Sequence, residues 1–304
     1  MNEWVIETKG LSKRYKGRYA VSNLNLKIAK GDIYGFLGPN GAGKTTTIRM
    51  LLGLIQPSGG SVHIFGQPLK KERLSILRRV GSLVEYPSYY GHLSAVDNLE
   101  AIRRILGSPT SKITEVLDIV GLTKEARRPV KGYSLGMKQR LGIASALLGS
   151  PELLLLDEPT NGLDPSGILE IRELIKQMPK QHGITVLISS HLLSEVELTA
   201  GTVGIIRQGE LVFQDTISHL HEQAQGRISL VVSEPELALA VLQRQGVEAV
   251  QNGSAIMLEH TDNPALARIV KNLVEREHSI YRVEEKRKSL EDLFLQIVGE
   301  GKQL

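Results

Sequence analysis

The stretch Gly38-Pro39-Asn40-Gly41-Ala42-Gly43-Lys44-Thr45 carries the strongest structural signal in this chain. The apolar run at Ile33–Leu37 before it predicts a buried strand, and the spacing over Lys44–Ile55 predicts a helix that ends before a proline. Glycines at this spacing let successive backbone N–H groups surround phosphate oxygens, while the lysine reaches the β- and γ-phosphates. The motif therefore predicts a site for a nucleoside triphosphate. The flanking strand and helix disfavour the alternative of a chance glycine-rich turn.

The predicted nucleotide ligands are consecutive residues of this loop and of the first helical turn. They are Gly38, Pro39, Asn40, Gly41, Ala42, Gly43, Lys44, Thr45 and Thr46. Thr45 is also a predicted ligand of Mg²⁺, because a threonine hydroxyl at this position of the motif binds the metal. The guanine-reading pattern Asn-Lys-x-Asp is absent from the chain, which argues against a GTPase.

A second apolar run, Leu153–Leu156, ends in two acids. A buried strand here would bring Asp157 beside the first strand, where its carboxylate can hold Mg²⁺. Glu158 faces a different direction and could orient or deprotonate an attacking water. A strand that merely ends in surface acids is the alternative, and its pairing with the phosphate loop disfavours it.

Composition excludes several classes of protein. The 304 residues suffice for one large domain, or for a large and a small one, and the absence of cysteine excludes disulfides and thiolate metal sites. A net charge of +4 is too slight to indicate nucleic-acid binding, although docking on an anionic membrane surface is equally compatible with it. No apolar run approaches the roughly 18 to 20 residues of a membrane span, and the N-terminus lacks a signal-peptide pattern. We therefore expect a soluble, cytoplasmic protein.

Strand and helix patterns alternate over the first two-thirds of the chain, which predicts a mostly parallel sheet covered on both faces. Between Asp97 and Leu148 the strand signals vanish. Helical spacing there covers Val96–Ile105, Ile113–Val120 and Leu135–Leu148. We therefore predict an α/β cassette over residues 1–220 with an α-helical subdomain at about 86–150.

The last third of the chain has a different pattern. The predicted elements run from a strand at Ile228–Val232 to a final helix at Leu290–Val298. Before that final helix they follow the order β-α-β-β-α-β. This order predicts a small ferredoxin-like α+β domain at residues 221–304, with a role in dimer contact, stability or regulation. Glu259, His260 and Asp262 could suggest a metal site, but a solvated loop after a strand is the favoured interpretation.

Further motifs resemble the ATP-binding-cassette (ABC) ATPases and occur in that family's order. Tyr133-Ser134-Leu135-Gly136-Met137-Lys138-Gln139-Arg140 resembles the signature motif, and Glu158-Pro159-Thr160-Asn161-Gly162-Leu163-Asp164 resembles the catalytic glutamate running into the D-loop. His191 resembles the switch histidine, and Tyr15 the aromatic residue that stacks on adenine. The resemblance covers about Ile6 to Phe213.

The resemblance implies an α/β P-loop NTPase fold of the ABC type, with a mixed or parallel sheet core, that hydrolyses ATP with Mg²⁺. It implies catalytic roles for Glu158 and His191. It also implies a head-to-tail dimer, in which Ser134 and Gly136 of one subunit, with Asp164, complete the ATP site of the other. Each residue has an ordinary structural alternative. Tyr15 alone could be a surface tyrosine and His191 a structural histidine, while Ser134 as a helix N-cap is compatible with the implied role.

Two positions depart from the family pattern. Leu135 stands where the signature usually has the first of two glycines. Glu85 stands where most members carry a glutamine that senses Mg²⁺ and the attacking water. A carboxylate can still ligate Mg²⁺, so Glu85 is a predicted catalytic residue and metal ligand. The alternative is a tolerated substitution with no mechanistic consequence.

Glu85, the signature variant and Lys288–Phe294 together resemble the ATPase subunits of lantibiotic-immunity and bacitracin-resistance exporters. That branch implies export of a peptide antibiotic through a separately encoded permease, with the ATPase peripheral on the inner face of the plasma membrane. One alternative is a soluble ABC ATPase acting on nucleic acid or ribosomes. The single cassette, the lack of heptads and the small charge argue against it, and no nucleic-acid partner is expected. A sensor ATPase without transport differs only in its partner and stays open.

Overall fold

The computed structural model describes residues 4–84, 88–223, 227–258 and 263–286, together with Phe294 and Gly299. The chain divides into two compact units between Ile217 and Ser218. The predictions for Glu85, for Glu259, His260 and Asp262, and for most of the final helix at Leu290–Val298 lie outside the described residues.

The first unit alternates strands and helices. Its strands are β1 (Trp4–Tyr15), β2 (Arg18–Leu24), β3 (Lys27–Ala29), β4 (Ile33–Leu37), β5 (Gly59–Ile64), β6 (Gln67–Pro68), β7 (Val80–Leu83), β8 (Leu153–Asp157), β9 (Thr185–Ser190), β10 (Thr202–Arg207) and β11 (Glu210–Thr216). Its helices are α1 (Lys44–Leu51), α2 (Leu69–Leu77), α3 (Ala95–Leu106), α4 (Ser111–Ile119), α5 (Leu135–Leu147), α6 (Pro165–His182) and α7 (Leu193–Glu197). A further helix, α8 (Ile217–Gln223), begins at the boundary between the units.

The central sheet has the order β11-β10-β4-β9-β8-β7, and all its pairings are parallel except that of β10 with β11. Every residue of β4, β8 and β9 is buried, as expected for strands covered on both faces. Strand β9 lies between β4 and β8, and its register pairs Leu37 with Ser190 and Asp157 with Ser189. The carboxyl ends of the three strands therefore meet at one edge, which is where both predicted chemical motifs begin.

A second sheet has the order β2-β1-β5-β6, with β3 also paired to β1, and its pairings are antiparallel. The alternation of strands and helices predicts one mostly parallel sheet and does not indicate this one. The reason is that register irregularities interrupt the pairing of β1 with β2 between Leu11 and Arg14, so the regular alternation of an antiparallel strand is lost. Its apolar face shares a core with β4 and α1.

Helices α3, α4 and α5 follow one another between β7 and β8. Their apolar faces join a core that continues to Leu154 and Leu156 of β8. Ser94 and Asp97 form a capping box at the start of α3, and Ser134 caps α5. Helix α1 ends four residues earlier than the sequence predicts, because Gly53 adopts a φ of 61° shortly after its last turn.

The second unit contains β12 (Arg227–Val232), α9 (Pro235–Arg244), β13 (Ala249–Asn252), β14 (Ala255–Leu258), α10 (Asn263–Glu275) and β15 (Ile280–Lys286). Its strands form an antiparallel sheet of order β13-β14-β12-β15. Leu230, Leu242, Ile256, Leu258 and Leu273 are fully buried in its core. Across the described ranges of both units, no helix combines the length and the apolar character that a membrane crossing requires.

Candidate active site

The phosphate loop lies between the end of β4 and the start of α1. Gly43 is the N-cap residue of α1 with a φ of 112°, and no side chain caps the helix. The first amides of α1 have no acceptor within the helix, so this helix N-terminus can receive an anion. A Cβ atom on Gly43 would lie 2.6 Å from the carbonyl oxygen of Ala20, because β2 packs against the loop. Backbone conformation and packing therefore both require glycine at this position.

The Lys44 side chain is folded into the loop and is only 6% exposed. Its ammonium donates to the carbonyl oxygens of Gly38 at 2.6 Å and Pro39 at 3.3 Å. It also lies 3.1 Å from Glu158 Oε1, in an ion pair that lacks the angles of a hydrogen bond, and this oxygen is otherwise buried without a hydrogen-bond partner. The loop thus holds a buried positive charge beside the predicted catalytic carboxylate.

Asp157 ends β8 and is 7% exposed. Its Oδ1 accepts a hydrogen bond of 2.5 Å from the Ser189 hydroxyl, and within the described residues the carboxylate forms no ion pair. The Thr45 hydroxyl likewise forms no hydrogen bond to a described residue, whereas the Thr47 hydroxyl donates to the Gly43 carbonyl at 2.9 Å. A buried carboxylate without a cationic partner fits a hard metal ion, since buried charges are normally paired or coordinate metals.

Glu158 and His191 form a close pair, with 2.8 Å between Glu158 Oε2 and His191 Nδ1. Because an ionised carboxylate only accepts hydrogen bonds, Nδ1 is the donor and carries the proton. Glu158 has a φ of 49°, in the left-handed region, and its backbone N–H donates to the Ser189 hydroxyl at 2.9 Å. The surrounding contacts therefore hold an unfavourable backbone conformation that aims the carboxylate at both Lys44 and His191.

Ser189 joins the two acids, although the sequence pattern does not mark it as a site residue. Its hydroxyl donates to Asp157 and accepts from the amide of Glu158. The available signal is that two serines, Ser189 and Ser190, end the strand directly after the apolar residues 186–188. Their importance depends on the register of β8 with β9, which spacing along the chain does not reveal.

The signature segment lies beside the D-loop segment of the same chain. Ser134 caps α5 by accepting from the amide of Met137 at 3.2 Å, and Asp164 caps α6 by accepting from the amide of Gly167 at the same distance. The atoms nearest a Cβ on Gly136 belong to Leu163, Gly167 and Ser134, none of them in the phosphate loop. Leu135 is 36% exposed at the start of the helix. The single chain therefore does not join its signature to its own phosphate loop.

Two tyrosines fix the position of α5. The Tyr89 hydroxyl donates to the carbonyl of Lys138 at 2.8 Å, and the Tyr133 hydroxyl donates to the carbonyl of Glu125 at 2.6 Å. Burial raises the pKa of both phenols, and the nearby Glu125 carboxylate adds to the rise for Tyr133. Both hydroxyls therefore stay protonated donors at neutral pH.

Tyr15 is placed differently from the other predicted residues. It ends β1 next to the hairpin turn, is 48% exposed, and has the Lys13 ammonium 5.1 Å from its ring centre. No hydrogen bond joins it to the phosphate loop in the described part of the chain. The hairpin that carries it contributes Ala20 to the packing against Gly43, so an exposed ring is presented by an element that borders the loop.

A glycine-rich loop between a buried parallel strand and a helix, with a buried lysine and an adjacent strand ending in Asp157 and Glu158, defines a P-loop nucleoside triphosphatase. Residues 21–161 match the family model described as ABC transporter. The chain is 44% identical over 302 residues to the bacitracin transport ATP-binding protein BcrA of Bacillus licheniformis, covering 98% of each chain. It is 46% identical over 210 residues to the lantibiotic transport ATP-binding protein SrtF of Streptococcus pyogenes, covering 69% of this chain and 90% of the relative.

Among solved structures, one match is a dimeric post-hydrolysis state of an ATP-binding cassette bound to ADP and Pi. It has a TM-score of 0.63 and 26% identity, and covers 70% of this chain and 98% of that one. The chain thus belongs to the ATP-binding proteins of ABC transporters. It is an α/β ATPase of the cassette type that binds and hydrolyses ATP.

Proposed function

We propose that this chain powers the export of a peptide antibiotic of the bacitracin or lantibiotic kind through a separately encoded membrane permease. The observation that carries the proposal is the 44% identity to a bacitracin transport subunit along 98% of the chain. That similarity extends past the cassette into the last third, whereas the lantibiotic relative matches 69% of the chain. The two relatives are named for bacitracin transport and for lantibiotic transport, which favours a peptide antibiotic over nucleic acid as the substrate class.

The proposed nucleotide ligands are the loop residues predicted from the sequence. Gly38, Pro39, Asn40, Gly41, Ala42, Gly43, Lys44, Thr45 and Thr46 would hold the phosphates, with the exposed ring of Tyr15 against the base. Thr45 and the buried Asp157 fit Mg²⁺, which usually binds to one or two carboxylates together with substrate phosphates. When bound, the metal supplies charge neutralisation on the phosphates. Glu85 lies outside the described residues, and we propose it as a third metal ligand and as a catalytic residue.

Glu158 is the proposed general base. Its carboxylate would accept the proton of the attacking water, and His191 would hold the carboxylate in place through the Nδ1–H hydrogen bond of 2.8 Å. Lys44 lies beside the same carboxylate and is already desolvated, so its charge acts in a low-dielectric site. The chain's own residues therefore supply a base, an orienting partner and a cation for the phosphates.

We further propose a head-to-tail dimer with two composite ATP sites. Support comes from the position of Gly136, whose nearest neighbours are Ser134, Leu163 and Gly167 rather than residues of its own phosphate loop. The capped N-terminus of α5 would then approach the γ-phosphate of the second subunit, together with Asp164. We place the cassette at residues 1–220, with its helical subdomain at about 86–150. Residues 221–304 form the proposed ferredoxin-like accessory domain, and the subunit would lie on the inner membrane face through its permease.

Antibiotic susceptibility tests this function. A Gram-positive host lacking its own exporter would express the chain with its separately encoded permease, and inhibitory concentrations of bacitracin and of a lantibiotic would be measured. We expect resistance to rise with the wild-type chain and not with Lys44→Ala, which removes the buried cation of the loop. An equal rise with both forms, or no rise with either antibiotic, would contradict peptide export. Co-purification with nucleic acid instead of the permease would favour the alternative soluble ATPase.

A further inference from the structure

One carboxylate outside the phosphate loop connects the two segments that carry the catalytic pair. Glu195 lies in α7, shortly after His191. Its Oε2 accepts hydrogen bonds from the hydroxyls of Thr160 and Ser190, the latter at 3.3 Å. Thr160 follows Glu158 in the turn after β8, and Ser190 immediately precedes His191. Through one carboxylate oxygen, Glu195 therefore links the turn that follows Glu158 to the residue that precedes His191.

This connection is separate from the one made by Ser189. Ser189 holds the end of β8, because its hydroxyl contacts the Asp157 carboxylate and the Glu158 amide. It does not reach the residues after Glu158. There the turn is closed by the amide of Asn161, which donates to the Glu158 carbonyl at 3.1 Å, and by the contact of Thr160 with Glu195.

The surroundings of Glu195 restrict its movement. The Thr199 hydroxyl donates to the main-chain carbonyl of Glu195 at 2.7 Å, and the Leu192 amide donates to the Ser190 hydroxyl at 3.0 Å. The cavity beside these groups is about 10 Å³, room for about one water. Glu195 forms no ion pair with any residue in the described part of the chain. A half-buried carboxylate without a cation is unfavourable unless it accepts hydrogen bonds. The two hydroxyl groups that donate to Glu195 therefore stabilise its carboxylate at this position.

We infer that Glu195 is a positioning residue for ATP hydrolysis, which holds Glu158 against His191 by binding Thr160 and Ser190 together. The inference rests on the proposed roles of Glu158 and His191 and adds the residue that fixes their separation. The carboxylate touches neither nucleotide ligands nor the pair itself, so it acts only through the two hydroxyls. Its loss would misplace the base while leaving the phosphate loop intact.

Steady-state ATPase kinetics of the full chain test the inference. Glu195→Ala is expected to lower kcat by about tenfold to a hundredfold, the effect of a small misplacement of a catalytic group. The KM for ATP and the affinity for a fluorescent ATP analogue are expected to stay near the wild-type values. Glu195→Gln keeps a carbonyl oxygen that can accept both hydrogen bonds, so it should retain most of the wild-type kcat. Ser194→Ala, an exposed neighbour on α7, is the matched control and should not change kcat.

The variant Thr160→Val tests the same contact from the other side, and it remains a test if Glu195→Ala does not fold. It removes one of the two donors, and combined with Glu195→Ala it should lower kcat no further than the more damaging single change, because both act on one contact. Full activity of Glu195→Ala, or equal damage by Gln and Ala, would overturn the inference. The inference would also be overturned if the loss of kcat were fully explained by a fall in melting temperature. Full turnover by Glu158→Gln would instead overturn the proposed base, which separates the two failures.

Discussion

At the scale of single residues, Glu158 has an unfavourable backbone conformation and is held by contacts with three neighbouring residues. A non-glycine residue in the left-handed region costs roughly 1–3 kcal/mol, and such strain persists only where the surrounding structure imposes it. Here Ser189 fixes the amide, His191 contacts one carboxylate oxygen, and Lys44 lies 3.1 Å from the other. Because these contacts orient the side chain, the isosteric change to glutamine should keep its direction while removing the negative charge and the basicity of the carboxylate.

We therefore predict that Glu158→Gln binds ATP with near wild-type affinity and hydrolyses it about a hundredfold to ten-thousandfold more slowly, the usual contribution of a general base. Single-turnover phosphate release and equilibrium nucleotide binding measure the two quantities. Glu173→Gln, which changes an exposed acid on α6, is the control and should leave both unchanged. Rapid single-turnover hydrolysis by Glu158→Gln would exclude Glu158 as the base.

Gly43 allows a prediction about folding as well as binding. An alanine there must adopt a φ of 112° and place its Cβ 2.6 Å from the Ala20 carbonyl oxygen, which is backbone and cannot move aside. We expect Gly43→Ala to lose at least about 1–3 kcal/mol of unfolding free energy from strain alone, and to bind ATP weakly. Gly107→Ala is the matched control, since Gly107 has a φ of 69° and open space around it. Chemical denaturation should show the larger loss for Gly43→Ala, and equal losses would contradict the steric argument.

At the scale of elements, the sequence predicts what is contiguous along the chain. The loop between β4 and α1, and the two acids at the end of β8, can be predicted because strand, motif and helix follow one another. The hydrogen bond of Ser189 to Asp157 and the ion pair of Lys44 with Glu158 depend on which strands are neighbours and in which register. The antiparallel sheet escapes prediction because β1 carries irregularities rather than clean alternation. Local pattern thus specifies the elements, and long-range pairing completes the site.

The two capped helices of the insertion separate a structural role from a functional one. Ser94 caps α3 and Ser134 caps α5, each by accepting from an amide three residues later at 3.2 Å. Replacing either serine by alanine should cost about 1 kcal/mol of stability, a typical loss for an N-cap. If Ser134 also contacts a γ-phosphate, only Ser134→Ala should reduce kcat beyond the effect of lost stability. Urea denaturation and ATPase assays on both variants make the comparison, and equal activities would leave Ser134 as a cap alone.

Helix α3 also provides a prediction about pH. Hydrogen bonds from Arg103 and Arg104 lower the pKa of Glu100 to about 2, and the two positive charges add to the effect. A carboxyl group with a depressed pKa stabilises the folded state above its unfolded pKa of about 4.3 and loses that contribution as the pH falls towards 2. Glu100→Gln should therefore melt below the wild type at pH 7, with the difference shrinking between about pH 4.3 and pH 2. High salt should reduce the difference at pH 7, and a difference independent of both pH and salt would contradict the ion-pair origin.

At the scale of the whole molecule, the position of the signature segment determines how many chains a working site needs. The nearest neighbours of Gly136 are Ser134, Leu163 and Gly167 of its own chain, and none of them belongs to the loop around Lys44. In the proposed head-to-tail dimer, a site that uses both the loop and the signature draws them from two subunits. Two-fold symmetry would then produce two such sites in one closed dimer, because each surface meets its counterpart on the other chain.

Mixing two inactive variants distinguishes this arrangement from a site within one chain. Lys44→Ala disables the loop and Ser134→Arg disables the signature, so either homodimer has two defective sites. In a mixed head-to-tail dimer both defects fall in one site, and the other site combines an intact loop with an intact signature. An equal mixture should therefore recover up to about a quarter of the wild-type ATPase rate, since half of the dimers are mixed and each has one intact site. The control mixture pairs the Lys44→Ala chain with a chain that carries both Lys44→Ala and Ser134→Arg. No intact loop remains in that mixture, so no recovery is expected. Sites formed within single chains would leave the first mixture as inactive as its components, because every chain then carries its own defect.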